Sequence, residues 1–206
     1  MKAVRIAAPL EIGVAEIERP ALGAGVTDST FVMVIGCGMV GLGAVVRASL
    51  RGATVIAAGI DDEKLELARQ AGATYTVNTM TEDVHARIQE ITDGLGADVV
   101  IEAVGSPATY VMAVNEVGFT GCVTCIGYAK SEVSFQTKLF VQKELDIRGS
   151  RNATPSDFRA VINCIKTGRY PVDKFISRVV KPEDTAVAMK EWSENPGKVF
   201  RILVEF

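Results

Sequence analysis

The most informative residues form a glycine-rich motif, Gly36-Cys37-Gly38-Met39-Val40-Gly41, whose spacing suits phosphate binding. It follows the apolar run Phe31–Ile35, which is typical of a buried strand, and precedes a stretch that can continue as a helix. Gly36 would permit a tight turn, Gly38 would let the backbone approach a pyrophosphate, and Gly41 would let the helix pack close to a sheet. Free N–H groups at the start of that helix would face the phosphates. The motif therefore predicts a dinucleotide-binding unit of strand, turn and helix.

Two other interpretations of this stretch are open. Residues 31–46 carry no charge and approach the length of a membrane span, but they contain four glycines and are followed by Arg47, so we expect no membrane segment. The second alternative is a glycine-rich turn that binds nothing, because glycines also serve close packing without any ligand.

Composition and charge narrow the class of protein. The chain has 206 residues, 48% of them hydrophobic, which suffices for one α/β domain with some appended structure. Its 22 basic and 25 acidic residues are mixed along the chain and give a net charge of −3, so no surface for nucleic acid or anionic lipid is expected. Pro9 and Glu11 interrupt any apolar core that a signal peptide would need, which makes the cytoplasm the expected location.

The sequence offers little material for a metal site. His85 is the only histidine, and the four cysteines are dispersed through apolar surroundings. Cys122 and Cys125 lie three residues apart in a strand pattern, where their side chains would point to opposite faces. We therefore expect no zinc and interpret the cysteines as reduced, buried thiols.

Two further patterns could suggest catalysis. Tyr170 and Lys174 have the Tyr-x-x-x-Lys spacing that short-chain dehydrogenases use for proton transfer, but Gly168 and Pro171 predict a turn there instead of the required helix. His85 belongs to a predicted helix rich in charged residues, so we interpret it as a surface residue and not as the base that activates a nucleophile. The sequence therefore identifies no catalytic residue.

Strands and helices alternate along the middle of the chain. The predicted strands are residues 31–35, 54–58, 74–77, 98–101, 122–126 and 145–148. The predicted helices are residues 40–50, 61–70, 82–91, 107–117 and 155–166. Six strands interleaved with helices predict a doubly wound α/β fold, that is, a six-stranded parallel Rossmann sheet with a ligand crevice at the carboxyl ends of its strands.

Both ends of the chain depart from this alternation. Residues 1–25 predict a hairpin or a pair of edge strands, and residues 171–206 predict a helix near 183–192 followed by a closing strand over 199–204. The terminal strands could pair with each other. We therefore divide the chain into residues 1–25, a dinucleotide-binding domain over 26–170, and a C-terminal helix and return strand over 171–206.

Several segments together carry a family resemblance. They are Val34-Ile-Gly-Cys-Gly-Met-Val-Gly-Leu-Gly43, Asp62-Glu-Lys-Leu-Glu-Leu-Ala68, Asp98-Val-Val-Ile-Glu-Ala-Val-Gly105, Lys143-Glu-Leu-Asp-Ile-Arg-Gly-Ser150 and Asn195-Pro-Gly-Lys-Val-Phe200. With these segments the chain resembles the medium-chain, zinc-type alcohol and polyol dehydrogenases, in the branch of the sorbitol, threonine and sugar-acid enzymes. Residues 1–6 and 18–23 resemble the opening strands of that family, which would make residues 1–25 a remnant of its catalytic domain.

The resemblance also implies an absence. Most of the family's catalytic domain would lie between Gly25 and Val26, and the motifs that carry its zinc ligands do not occur in this sequence. A zinc-polarised alkoxide needs three protein ligands and an open coordination position. The implied function is therefore NAD(H) binding with impaired catalysis. A residual NAD(P)-dependent alcohol or polyol dehydrogenase and a dimerising interaction protein without catalysis are the alternatives.

The ribose-binding position departs from the family pattern. Members that prefer NAD carry an acidic residue at the end of the second strand, where this chain has Gly59. Asp61 is the candidate substitute, and Asp61 with Asp62 would repel a 2′-phosphate. NAD is therefore favoured over NADP as the cofactor.

The resemblance completes the set of candidate site residues. It implies that backbone at 104–105 and 126–127 lines the nicotinamide side, and that Arg151 faces cofactor or substrate, with a solvated salt bridge as the alternative for this arginine. A small alcohol or polyol is the implied substrate, and a homodimer joined through strands 120–126 and 145–148 is the implied assembly. The candidate cofactor-binding residues are Gly36, Gly38, Met39, Val40, Gly41, Gly59, Asp61, Val104, Gly105, Ile126, Gly127 and Arg151.

Overall fold

A computed structural model describes the backbone of residues 2–8 and 11–16 and all atoms of residues 25–195 and 199–206. The predicted N-terminal unit, residues 1–25, and the family-like segment 195–200 are therefore described only in part, and the segment 18–23 lies outside the described residues. Strands β1 (Lys2–Ala8) and β2 (Glu11–Glu16) form an antiparallel pair, in agreement with the predicted hairpin or edge-strand pair.

Six parallel strands form the central sheet. They are β3 (Phe31–Ile35), β4 (Thr54–Gly59), β5 (Tyr75–Asn78), β6 (Ala97–Glu102), β7 (Val117–Cys125) and β8 (Asp146–Gly149). Their order across the sheet is β5-β4-β3-β6-β7-β8, and each neighbouring pair is parallel. The direction of winding reverses between β3 and β6, which is the place where an open α/β sheet forms its ligand crevice. The predicted doubly wound, six-stranded Rossmann fold is confirmed.

Helices connect the strands and cover the sheet. They are α1 (Met39–Ser49), α2 (Asp62–Gln70), α3 (Val84–Ile91), α4 (Pro107–Glu116), α5 (Lys138–Gln142), α6 (Pro155–Lys166), α7 (Val172–Phe175) and α8 (Thr185–Glu194). Asp61 caps α2, while Ser106 and Thr154 begin α4 and α6 as capping boxes. The α6 helix has the predicted bounds and is followed by Gly168, whose φ of 67° ends it.

Alternate residues of the central strands pack into two separate cores. In β3, Val32 and Val34 belong to the cluster on one face of the sheet, and Met33 and Ile35 belong to the cluster on the other. All four side chains are at most 2% exposed. A strand covered by helices on both faces must be apolar at every position, which is why these strands have continuous and not alternating hydrophobic sequences.

Some elements differ from the prediction. The strand β7 begins at Val117, five residues before the predicted start, and it passes an irregular position at Thr120, whose φ is 56°. The Thr120 N–H donates to the Lys143 carbonyl oxygen at 2.6 Å, so the segment leading to β8 holds this irregular position. The short helices α5 and α7 and the strand β9 (Arg178–Val180) were not predicted, because segments of three to five residues are too short to show a periodicity.

The C-terminal strand has a local partner. Strand β10 (Ile202–Val204) pairs in parallel with β9, and the described part of the chain shows β1 paired with β2, so the possible pairing between the terminal strands is not found there. Flanking hydrogen bonds extend the β9–β10 ladder, from Ser177 N–H to the Arg201 carbonyl oxygen and from Glu205 N–H to the Val180 carbonyl oxygen, both 2.9 Å. Pairing of strands that are close in sequence closes a shorter loop and costs less chain entropy.

Among the described residues, no helix has both the length and the apolar character needed to cross a membrane. The uncharged stretch 31–46 is divided between β3, the glycine-rich turn and the part of α1 up to residue 46.

Candidate cofactor-binding site

The turn between β3 and α1 depends on glycine at position 36. Gly36 has φ of 99°, a conformation that L-residues rarely adopt, and its N–H donates to the Ala58 carbonyl oxygen at 2.8 Å. A Cβ atom at this position would lie only 2.6 Å from Cγ2 of Val104. Gly36 therefore makes the turn and also permits the close approach of the loop after β6.

The other two glycines of the motif differ in what surrounds them. A Cβ atom at Gly41 would lie 1.7 Å from the Gly36 carbonyl oxygen, so α1 packs directly on the turn and any side chain would displace it. Apart from the adjoining residues, no described residue has an atom within 4 Å of a Cβ atom placed at Gly38. Packing within the described chain therefore explains Gly36 and Gly41 but does not explain Gly38, whose role toward a pyrophosphate stays a prediction.

The N-terminus of α1 is suited to bind an anion. Gly38 is its N-cap residue, no side chain caps it, and its first turn contains no acidic residue. The first hydrogen bond of the helix runs from Leu42 N–H to the Gly38 carbonyl oxygen at 2.8 Å, so the N–H groups of Met39, Val40 and Gly41 precede the intrahelical ladder. These groups and the helix dipole together favour a negative ligand at this end.

The carboxyl end of β4 places Gly59 and Asp61 on one side of this turn. A Cβ atom at Gly59 would lie 3.2 Å from Sγ of Cys37, so the strand end fits tightly against the motif. Oδ1 of Asp61 accepts a hydrogen bond from Lys64 N–H at 3.1 Å. Asp61 therefore serves as a helix cap, and its role toward a ribose stays a prediction.

The loops after β6 and β7 meet on the other side of the turn. Gly105 has φ of 83°, and a Cβ atom at Gly127 would lie 2.2 Å from the Gly105 nitrogen. The Tyr110 hydroxyl donates to the Gly127 carbonyl oxygen at 2.7 Å, and Val104 is half exposed at the rim. The two predicted nicotinamide-side segments, 104–105 and 126–127, are thus in direct contact.

Arg151 lies at the same end of the sheet. It is exposed, and its guanidinium carbon lies 5.7 Å from the centre of the Tyr128 ring, in a cation–π contact just after Gly127. The structure thus places this arginine beside the predicted nicotinamide side, and its role toward cofactor or substrate stays a prediction.

The residue that sequence reasoning missed is Glu102. It is the last residue of β6 and is completely buried, and its Oε1 atom accepts hydrogen bonds from Val104 N–H at 2.9 Å and Gly105 N–H at 2.8 Å. It therefore shapes one of the two loops on this side of the crevice. The available signal was a charged residue at the carboxyl end of an otherwise apolar, buried strand, where burial is costly without a specific purpose.

The thiols have the character of buried groups. Burial raises the pKa of Cys37 to about 11 and also raises the pKa values of Cys122 and Cys125. In residues 25–195 and 199–206, no group of three or more His, Cys, Asp or Glu side chains could hold a metal ion. The expectation that the chain binds no zinc stays a prediction.

The two weaker catalytic patterns also have structural explanations. The Tyr170 ring packs edge-on against Phe175 with 5.4 Å between centroids, while Lys174 Nζ lies 3.0 Å from Oε1 of Gln70, so neighbouring side chains account for both residues. His85 is two-thirds exposed, and its Nδ1 lies 3.0 Å from Oε2 of Glu116. The turn predicted at 170–174 is wrong in part, because the short helix α7 begins at Val172, directly after Pro171, whose fixed φ is compatible with a helix start. Tyr170 precedes α7 and Lys174 lies within it, so the two residues do not share one helix. The exposure of His85 agrees with its predicted surface position.

Comparisons with known proteins agree with this geometry. The family model of zinc-binding dehydrogenases matches residues 39–167. An uncharacterised zinc-type alcohol dehydrogenase-like protein of Haemophilus influenzae is 30% identical over 201 residues, which cover 98% of this chain and 57% of that protein. Sorbitol dehydrogenase 1 of Saccharomyces cerevisiae is 32% identical over 205 residues, which cover 95% of this chain and 56% of that protein.

The solved structures give the same result. An alcohol dehydrogenase from a Thermus species superposes with a TM-score of 0.82 at 26% identity and covers 91% of this chain and 55% of its own. This chain thus spans slightly more than half the length of each of these proteins. The fold, the glycine motif and the family match confirm the resemblance seen in the sequence, and the chain belongs to the zinc-binding dehydrogenase family.

Proposed function

We propose that this chain is an NAD(H)-binding coenzyme domain of a zinc-type alcohol or polyol dehydrogenase. The observation that carries the proposal is the open space at Gly38, beside the uncapped N-terminus of α1. Close packing excludes a side chain at Gly36 and Gly41 but not at Gly38. A bound diphosphate would explain why position 38 is also a glycine. Residues 26–170 form the dinucleotide-binding unit in this proposal.

Three groups of residues would each bind a different part of the cofactor. The N–H groups at the start of α1 hold the diphosphate, Asp61 at the end of β4 takes the adenosine ribose, and the joined loops 104–105 and 126–127 receive the nicotinamide. Asp61 and Asp62 favour NAD over NADP, because two carboxylates oppose the charge of a 2′-phosphate. When bound, the cofactor supplies a hydride acceptor or donor.

Catalysis by this chain alone is proposed to be weak or absent. The family's zinc-ligand motifs do not occur in the sequence, and without a metal or a positioned acid no group is assigned to stabilise a developing alkoxide. A small alcohol or polyol is the proposed substrate class of the complete site. Substrate-dependent NADH formation that survives a chelator would instead favour the alternative of a residual, zinc-free dehydrogenase.

A homodimer is the proposed assembly, and the edge strand β8 is its proposed contact. The predicted contact through strand 120–126 is wrong, because β7 lies inside the sheet between β6 and β8, whereas β8 in the described chain pairs on one side only, with β7. An antiparallel pairing of two copies centred on Ile147 would place Asp146 of one copy opposite Arg148 of the other, which makes the edge self-complementary in charge.

The central test is a titration of NADH against the purified chain, followed by fluorescence anisotropy. Gly38→Val should weaken NADH binding by at least about tenfold, because a side chain would fill the space of the diphosphate. Gly43→Ala is the matched control in the same helix, since a Cβ atom there would meet only the Tyr170 hydroxyl, at 3.8 Å. Equal affinities of native protein and Gly38→Val would refute the role of the motif.

A further inference from the structure

We propose that Glu102 places a buried negative charge beneath the nicotinamide end of the bound cofactor, and that this charge makes the site prefer oxidised NAD⁺ to reduced NADH. The inference rests on the proposed function and adds a residue that decides which redox form is bound.

The first observation is an unpartnered oxygen. Glu102 is 0% exposed, and in the part of the chain that the structure describes its Oε2 atom is buried with no hydrogen-bond partner. Native proteins rarely leave a buried polar oxygen unpaired, and where they do, a ligand or a functional role is the first explanation to test. Burial of this oxygen needs a compensating charge or donor that the described residues do not provide.

The second observation concerns the other carboxylate oxygen. Oε1 accepts hydrogen bonds from Val104 N–H and Gly105 N–H, and the Thr109 hydroxyl lies 2.8 Å from it as a third donor. All three partners can donate a hydrogen bond to this oxygen. No lysine or arginine among the described residues forms an ion pair with Glu102. The carboxyl group is thus held by hydrogen-bond donors, and no cation in the described part of the chain pairs with it.

The third observation is the position of Glu102 in the sheet. It lies at the carboxyl end of β6, in register with Ile35, which immediately precedes the glycine motif, and with Cys125 at the end of β7. Oε2 would be 2.7 Å from a Cβ atom at Gly127, so it lies directly beneath this glycine. The carboxylate therefore lies against the backbone of the loop that borders the crevice.

The direction in which the cofactor lies follows from the fold. With the diphosphate on α1 and the adenosine ribose at the end of β4, the other half of the dinucleotide must extend across β6 and β7. That direction leads over Gly105 and Gly127, which are the glycines next to the Glu102 carboxylate. The nicotinamide ring carries a positive charge in NAD⁺ and none in NADH. A buried negative charge beneath it therefore stabilises the oxidised form selectively, and protein surroundings screen such a charge less than water does.

The neighbouring ionisable groups leave this charge dominant. Tyr110 and Cys125 are close enough for Glu102 to raise their pKa values, an effect that adds to the larger effect of their burial. A phenol and a thiol with raised pKa values are neutral at pH 7. Neither group can cancel the carboxylate.

The test compares affinities for NAD⁺, NADH and ADP-ribose in the native chain and in Glu102→Gln. The glutamine keeps the size and the Oε1 acceptor but removes the charge. We expect NAD⁺ binding to weaken about tenfold relative to NADH binding, because one charge acting near the nicotinamide is lost, while the affinity for ADP-ribose, which lacks this ring, should stay within about twofold. Tyr110→Phe is the matched control, since it removes the hydrogen bond to Gly127 without changing charge and should affect NAD⁺ and NADH equally.

The outcomes separate this inference from the proposed function. If the native chain binds none of the three ligands, the proposed function fails. If it binds all three and Glu102→Gln weakens NAD⁺ and NADH by the same factor, only the charge selection by Glu102 is overturned. Should the glutamine variant not fold, the native protein and the charge-retaining Glu102→Asp decide the matter: both should bind NAD⁺ at least as tightly as NADH, and a native preference for NADH would overturn the inference.

Discussion

At the scale of single residues, the glycines of the motif have different roles: Gly41 is needed for packing, whereas Gly38 is proposed to be needed for binding. Gly41→Ala should lower the free energy of unfolding by at least about 2 kcal/mol, since the added methyl group would collide with backbone that cannot move independently. The collision is with the Gly36 carbonyl oxygen, 1.7 Å from the ideal Cβ position. Urea unfolding followed by circular dichroism measures the effect. Gly43→Ala, two residues further along α1, should be neutral or stabilising by up to about 1 kcal/mol, and a similar loss in both variants would contradict the packing argument.

A second prediction at this scale concerns Cys37. Burial raises its pKa from 9.0 to about 11, so the folded protein holds the thiol proton more tightly than the unfolded chain. The stabilisation is present below pH 9 and is lost as the pH rises toward the folded pKa of about 11. Between pH 8 and pH 10.5 the native protein should lose about 2 kcal/mol more unfolding free energy than Cys37→Ala, in which other titrating groups act equally. Parallel pH profiles of the two proteins would contradict this result.

The motif glycines were found from the sequence because their spacing between an apolar run and a helix is a local pattern. Glu102 was missed because its role depends on contacts formed only after folding: burial on both faces of β6 and loops brought together by the neighbouring strand. The sequence shows a charged residue at a strand end but cannot show that one of its oxygens is left without a partner.

At the scale of elements, the uncapped N-terminus of α1 makes the fold less stable than a capped helix would but leaves room for the proposed NADH diphosphate. Gly38→Asp should raise the free energy of unfolding by about 0.5 kcal/mol, since a carboxylate at the N-cap accepts hydrogen bonds and faces the positive end of the helix dipole. The same substitution should weaken NADH binding by at least about tenfold through repulsion of the diphosphate. Thermal unfolding and NADH titration on one preparation measure both changes. Leu95→Asp, at an exposed position on the loop before β6, is the charge-matched control and should leave NADH affinity unchanged.

The long elements were predictable because they repeat a pattern over enough residues. The β3 strand and the α6 helix have their predicted bounds. A continuous apolar run defines β3, and α6 begins at Pro155 and ends shortly before Gly168. The early start of β7 was not predictable, because Thr120 takes a left-handed conformation that only its contact with Lys143 explains. Pairing of β10 with β9 likewise depends on a three-residue strand without a sequence signal.

At the scale of the whole molecule, the described residues include an apolar cleft and exposed apolar side chains on one helix. A cleft of about 400 Å³ lies between α1 and α6, with mainly apolar side chains along its walls. On α6, Phe158 is 62% exposed, and Val161 and Ile162 are each 48% exposed. Exposed apolar surface of this kind favours association. The question is then whether association occurs through the ordered edge of the sheet or through these apolar faces.

Light scattering coupled to size-exclusion chromatography distinguishes the two routes. Ile147→Lys should convert a dimer joined through β8 into a monomer, because a twofold pairing centred on this residue would bring two lysines together at the middle of the contact. Val141→Lys is the control, because Val141 is 80% exposed on α5 and lies outside the strand. A dimer that persists in Ile147→Lys would exclude the β8 contact and direct attention to the cleft between α1 and α6. A native mass that stays monomeric at every concentration would exclude both routes.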